Sequence, residues 1–136
     1  MNTNEGRVYF ALFGDSFDPD ELTEFLGIEP TSVSRKGERI PDQLPKCSSW
    51  QISTDNIKNE IIDIYEMAES IVEPLQKHHE RISEAMHRFN LAAVLQVVLW
   101  ISDNEKHPMP AIGFETETIK FLAEIGASID VDTYKH

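Results

Sequence analysis

An α+β domain, with a mostly antiparallel central sheet and helices on one face, is what this chain predicts. Three observations lead there. Arg7–Gly14 and Leu91–Ile101 are apolar at alternating positions on both sides, the mark of strands near the middle of a sheet. Apolar residues spaced by three or four separate them, the mark of helices with one buried stripe. The resulting order, β-α-β-β-α-β followed by a C-terminal β-α-β extension, has a ferredoxin-like beginning. At 136 residues the chain fits a single domain over residues 1–136, large enough for one core.

Taken in order, "RVYFALFG" is the first strand. In "DPDELTEFLGI", Asp18 is placed as the N-cap and Pro19 as the first helical residue, with Glu21 completing a box-like pair. Leu22, Phe25 and Leu26 form the buried stripe, and Gly27 closes the helix in the left-handed conformation. "SVSRKGER" predicts a short strand or strand and turn, and "IPDQLPK" a loop. "SSWQIST" is the next strand, with Trp50 and Ile52 on one side. Asn56–Phe89 reads as helical, with Ile61, Tyr65, Ala68, Val72, Leu75, Ile82, Met86 and Phe89 as its stripe and Pro74 as a kink or break. After the strand "LAAVLQVVLWIS" come the loop "EKHPMP" and a short extended "AIGF". "ETIKFLAEIGA" is a helix closed by Gly126. "SIDVDTY" is the last strand, with Ile129 and Val131 inward and Asp130 and Asp132 on the other side.

Charge narrows function more than any motif does. The formal net charge is −12, from 24 acids and 12 bases. Nucleic-acid backbones are held by clustered cations, so DNA and RNA are not expected partners. Only residues 31–50 are net positive, with Arg35, Lys36, Arg39 and Lys46 against Glu38 and Asp42. No apolar run is long enough to span a bilayer, and "MNTNEGRVYF" lacks the shape of a signal peptide. A cytoplasmic location is expected. The single Cys47 agrees, since it has no second cysteine in the chain to pair with.

Four groups of residues are candidates for chemistry. "RKGER" suits an anion: arginine offers a two-pronged donor, and Gly37 lets backbone N–H groups approach a ligand. A tight turn whose cations pair with nearby acids is the competing and preferred reading. Asp130 and Asp132 share one side of a strand, as a cation site or paired carboxylates would, although a solvated face is commoner. The histidines (His78, His79, His87, His107 and His136) show no zinc-binding spacing, and no nucleophile motif is present, so no catalytic residue, metal or cofactor is expected. The acids Glu60, Asp63, Glu66, Glu69 and Glu73 stand with few cations beside them, as either a solvated face or a docking surface for a basic protein.

Taken together, "GDSFDPDELTEFLGIEPTSVSRKGER", "SSWQIST" and "FLAEIGASIDVDTY" resemble the bacterial family called Domain of Unknown Function 4279, over essentially the whole chain. The resemblance implies a small bacterial α+β domain and carries over no catalytic residue. The expectation is a non-catalytic acidic protein-binding domain, in its concrete form an immunity-type inhibitor of a basic bacterial toxin. The alternative is a small-molecule or anion-binding domain, with or without an activity, using Arg35, Lys36, Arg39, Trp50, Asp130 and Asp132.

Overall fold

A computed structural model describes residues 3–38 and 45–136. The elements are β1 (Glu5–Gly14), α1 (Pro19–Leu26), β2 (Ser32–Ser34), β3 (Ser48–Ser53), β4 (Ile57–Lys58), α2 (Ile64–Val72), α3 (His79–Arg88), β5 (Ala92–Ile101), α4 (Thr116–Ile125) and β6 (Ser128–Lys135). A 3-10 segment, Glu73–His78, joins α2 to α3. The fold is α+β, with a mixed sheet in the order β2-β3-β1-β5-β6, and β4 paired to the start of β1.

β1 and β5 are neighbours, in the register Val8↔Val97 and Phe10↔Leu95. They are covered on one side only, not on both as their sequence suggests. Val8, Phe10, Leu12, Ala93, Leu95, Val97 and Leu99 lie under the helices, with Leu22, Ile64, Val72, Ile82 and Phe121 in the same core. Arg7, Tyr9, Phe13, Val98 and Trp100 form a half-exposed opposite face. Apolar and aromatic side chains fit a half-buried pleated surface as well as a buried one, so alternation alone does not separate the two.

The sheet is not antiparallel throughout. β6 runs parallel to β5, reached through α4, since a parallel neighbour needs a crossover. "AIGF" forms no strand; Ala111 makes only an isolated bridge to Asp63. The expected C-terminal β-α-β is therefore β5, α4 and β6. β6 is an edge strand beyond the helix layer. Ile129 and Val131 stand on the same side as Leu95 and Val97 yet are well exposed.

Helix ends follow their caps. Asp18 Oδ1 accepts from Asp20 N at 2.9 Å, Pro19 opens α1, and Gly27 closes it at φ 69°. The stretch from Asn56 is not helical up to Asp63. Asp63 is extended, its carboxylate accepts from Glu66 N at 3.4 Å, and α2 starts at the next residue. Ile61 thus falls in a loop and is 65% exposed. Tyr65 is also exposed, its ring lying over Gly113, where any side chain would collide with it. Pro74 sits in the 3-10 segment, so the predicted kink is a change of helix type.

Candidate functional site

The "RKGE" segment forms a tight turn. Glu38 N donates to Arg35 O at 3.0 Å, Gly37 takes φ 77°, and Arg35 N donates to Glu38 Oε1 at 3.2 Å. β2 ends at Ser34, so strand alternation does not send Arg35 and Lys36 to opposite sides. Arg35 reaches the first turn of α1, and Lys36 the β1–α1 connection. Arg35 Nη2 lies 2.8 Å from Asp20 Oδ2, and Lys36 Nζ lies 2.8 Å from Asp15 Oδ1. They line an open dish of about 560 Å³ with Ser16, Phe17, Asp18, Asp20 and Ser48. Each of these cations already holds a carboxylate. Arg39 lies outside the described residues.

Trp50 does not line that dish. It is fully buried, and its indole N–H donates to Thr23 Oγ1 at 3.0 Å, joining β3 to α1. Asp130 and Asp132 are on β6, the opposite edge from β2. Four strand spacings separate those edges, roughly 19 Å at about 4.8 Å each. Of the residues grouped by the alternative reading, Arg35 and Lys36 share the dish, while Trp50, Asp130 and Asp132 lie elsewhere.

Asp130 and Asp132 belong instead to the open face of the sheet. Gln96 Nε2 donates to Asp132 Oδ2 at 3.1 Å. The Trp100 and Tyr134 rings stack at 5.6 Å, and the Arg7 guanidinium lies 5.0 Å from the centre of the Tyr9 ring. Burial raises the Tyr9 phenol above its ordinary value of 10.0; Arg7 pulls it down, while Asp132 and Asp130 push it up. Sequence reading missed Arg7, Tyr9 and Trp100 as surface residues because it assigned both faces of β1 and β5 to the core; Tyr134 lies on the side of β6 that it had left outward, with Asp130 and Asp132.

The acids of the fourth group follow α2: Asp63, Glu66, Glu69 and Glu73 are spaced by three or four from its N-cap to its C-cap, and Glu60 lies in the loop before it. Glu60, Asp63, Glu66, Glu69 and Glu73 are all exposed. Glu60 Oε2 lies 3.7 Å from His107 Nε2. Glu66, Glu69 and Glu73 make no ion pair among the described residues. Beside them runs a groove of about 400 Å³, lined by Thr54, Ile57, Ile61, Ile62, Asp63, Glu66, Met67 and Ser70.

The loop that shapes this groove is fastened from both sides. Buried Asn4 donates from Nδ2 to Glu60 O and Pro108 O, at 2.8 and 2.9 Å, and its Oδ1 accepts from Ser102 N at 2.8 Å. Ala111 N donates to Ile62 O and Ile64 N to Ala111 O, both at 2.9 Å. His107 lies within hydrogen-bond reach of Ser102 Oγ and of Asn104 Nδ2. Sequence reading placed Ile57 and Ile61 within a helix. The signal against that was Asp63 in capping position before an apolar run.

Among the described residues, no cluster of histidine, cysteine or carboxylate side chains is placed to hold a metal ion, and no helix is long and apolar enough to cross a membrane. No curated protein and no solved structure matches this chain. One family model does, covering residues 4–136, from the first residues of the sheet to the end of β6. Over that whole length the chain belongs to the domain of unknown function family DUF4279.

Proposed function

We propose that the protein is a non-catalytic binding domain that engages a basic protein partner through the acidic surface along α2. The observation that carries this reading is the row Glu66, Glu69 and Glu73, exposed and without ion pairs among the described residues. A field of one sign steers an oppositely charged partner and sets orientation on contact. The concrete version is an immunity-type inhibitor of a basic bacterial toxin, acting in the cytoplasm. The unpaired Cys47 supports a reducing compartment. We further read β2-β3-β1-β5 as a ferredoxin-like unit, to which β6 is added; the antiparallel pairing of each neighbour in that run supports it.

The small-molecule or anion reading has less support. Arg35 and Lys36 are each engaged by a carboxylate, and Trp50 offers no exposed ring. The test is co-production with the protein encoded beside this one. If that neighbour is a basic toxin, wild type restores growth, and Glu66→Lys, Glu69→Lys and Glu73→Lys combined abolish the rescue. Rescue that survives the triple charge reversal overturns the assignment of this surface. A melting screen in which phosphate, sulfate or nucleotides stabilise wild type but not Arg35→Ala would favour the alternative.

A further inference from the structure

Three features compete for a role beyond charge. Arg81 and Arg88 lie over the Phe25 ring at 4.0 and 5.1 Å, in a hollow that also holds Glu21 and Glu24. There Arg81 Nε donates to Phe25 O at 2.9 Å, which ties down the end of α1, and the acids offset the cations, so no ligand charge is selected. The open sheet face carries Asp130 and Asp132, but Asp132 already takes Gln96. The groove beside α2 is different, because its floor and its rim ask for two different chemistries at once.

We propose that the groove between β4 and the first turns of α2 docks a basic amphipathic segment of a protein partner. Apolar side chains of that segment rest on Ile57, Ile61 and Met67, and its Lys or Arg groups face Asp63 and Glu66. The inference rests on the acidic-surface reading and gives it an anchor point.

The floor is the first support. Ile61 is 65% exposed and Ile57 is 39% exposed, side by side in one concavity with Ile62 and Met67. Single exposed aliphatic residues are ordinary, whereas several in one groove with a polar rim are what partner sites look like. The rim is the second support. Among the described residues, the charged ones lining the groove are Asp63 and Glu66, with no cation. Lys58, the nearest base along the chain, is turned to Glu5 at 3.9 Å. A neutral apolar peptide would leave the carboxylates desolvated and unpaired, and an acidic one would be repelled. A basic amphipathic segment satisfies both layers.

Preorganisation is the third. The loop presenting Ile61 is bonded on one side to Asn4 and on the other to Ala111, and Ile61 N donates to Asn59 Oδ1 at 3.2 Å. A site already held in shape loses little ordering entropy on binding. Charge alone gives on-rate and orientation; buried apolar anchors give residence.

The experiment is fluorescence anisotropy with the full chain and three labelled helical peptides, one of leucine and lysine, one of leucine and glutamate, and one of glutamine and lysine. The leucine–lysine peptide is expected to bind wild type, and the other two at least tenfold more weakly. Ile61→Ser, a change at an exposed position, is expected to lower that affinity about tenfold, the effect of losing one aliphatic contact. Glu66→Gln should weaken binding severalfold and flatten its salt dependence. Circular dichroism confirms that both variants fold. Equal binding by wild type and Ile61→Ser, or a leucine–glutamate peptide that binds as well as leucine–lysine, overturns the groove. If glutamine–lysine matches leucine–lysine and only Glu69→Gln and Glu73→Gln weaken it, the groove proposal fails while the acidic-surface reading stands. If no basic peptide binds, both fail.

Discussion

Trp50 shows how a single side chain can be legible in position and misread in role. Its place on a strand between apolar neighbours predicts burial, and it is fully buried. The same residue was grouped with Arg35 as a ligand platform, which burial rules out in this conformation. Trp50→Ala removes a large core side chain and the indole donor to Thr23 Oγ1, which keeps only its own bond to Pro19 O, so a loss of about 3–5 kcal/mol is expected, read from the urea midpoint. Arg35→Ala should cost under about 1 kcal/mol, because the pair is open to water, with Arg35 half-buried and Asp20 largely exposed. Tyr9 supplies a pH signature. Its folded phenol titrates above the unfolded value, so the unfolded chain loses its proton first. Stability from this group is intact below pH about 10 and falls as pH rises beyond it. Melting curves between about pH 9 and 11 should show a steeper decline in wild type than in Tyr9→Phe. Parallel curves for the two proteins would remove Tyr9 from the account.

Elements were readable where local chemistry marks their ends. Asp18 and Gly27 bracket α1, and Gly126 closes α4 at φ 73°. Asn56–Phe89 went wrong at its beginning because Ile61 continues, by chance, the helical spacing of Tyr65 and Ala68. Tertiary bonds decided otherwise: β4 pairs with Glu5 and Gly6, and the loop after it is held by Asn4 and Ala111. The N-cap is what starts α2. Asp63→Ala should therefore cost about 1 kcal/mol, and Asp63→Asn, which keeps the acceptor, much less. Equal losses from the two substitutions would show that the charge beside the helix dipole matters more than the hydrogen bond. The direction of β6 was not legible, since parallel and antiparallel edge strands carry the same alternation. The candidate groove was illegible for a related reason: its floor joins a two-residue strand, a loop and a helix that no single periodicity spans.

The whole molecule bears its charge unevenly paired. Twenty-four acids face 12 bases, and the acids along α2 repel one another across water. Salt shortens the reach of that repulsion from about 10 Å at 0.1 M to about 3 Å at 1 M. Raising sodium chloride across that range should stabilise the fold by roughly 1 kcal/mol, a rise of about 3–5 °C in Tm. A fall in Tm would mean that the Arg35–Asp20 and Lys36–Asp15 pairs outweigh the repulsion. The sheet order has a further consequence, for how the chain comes to be folded. β1 is the hub: it pairs with β3, β4 and β5, and Val8 finds its partner at Val97. During synthesis it emerges ahead of all three. Its apolar side stays without a partner strand on the β5 flank until most of the chain has followed. Such distant pairing delays loop closure, slows folding and leaves a sticky segment waiting in the meantime. The core is therefore expected to close late and nearly at once, once the last strands have left the ribosome.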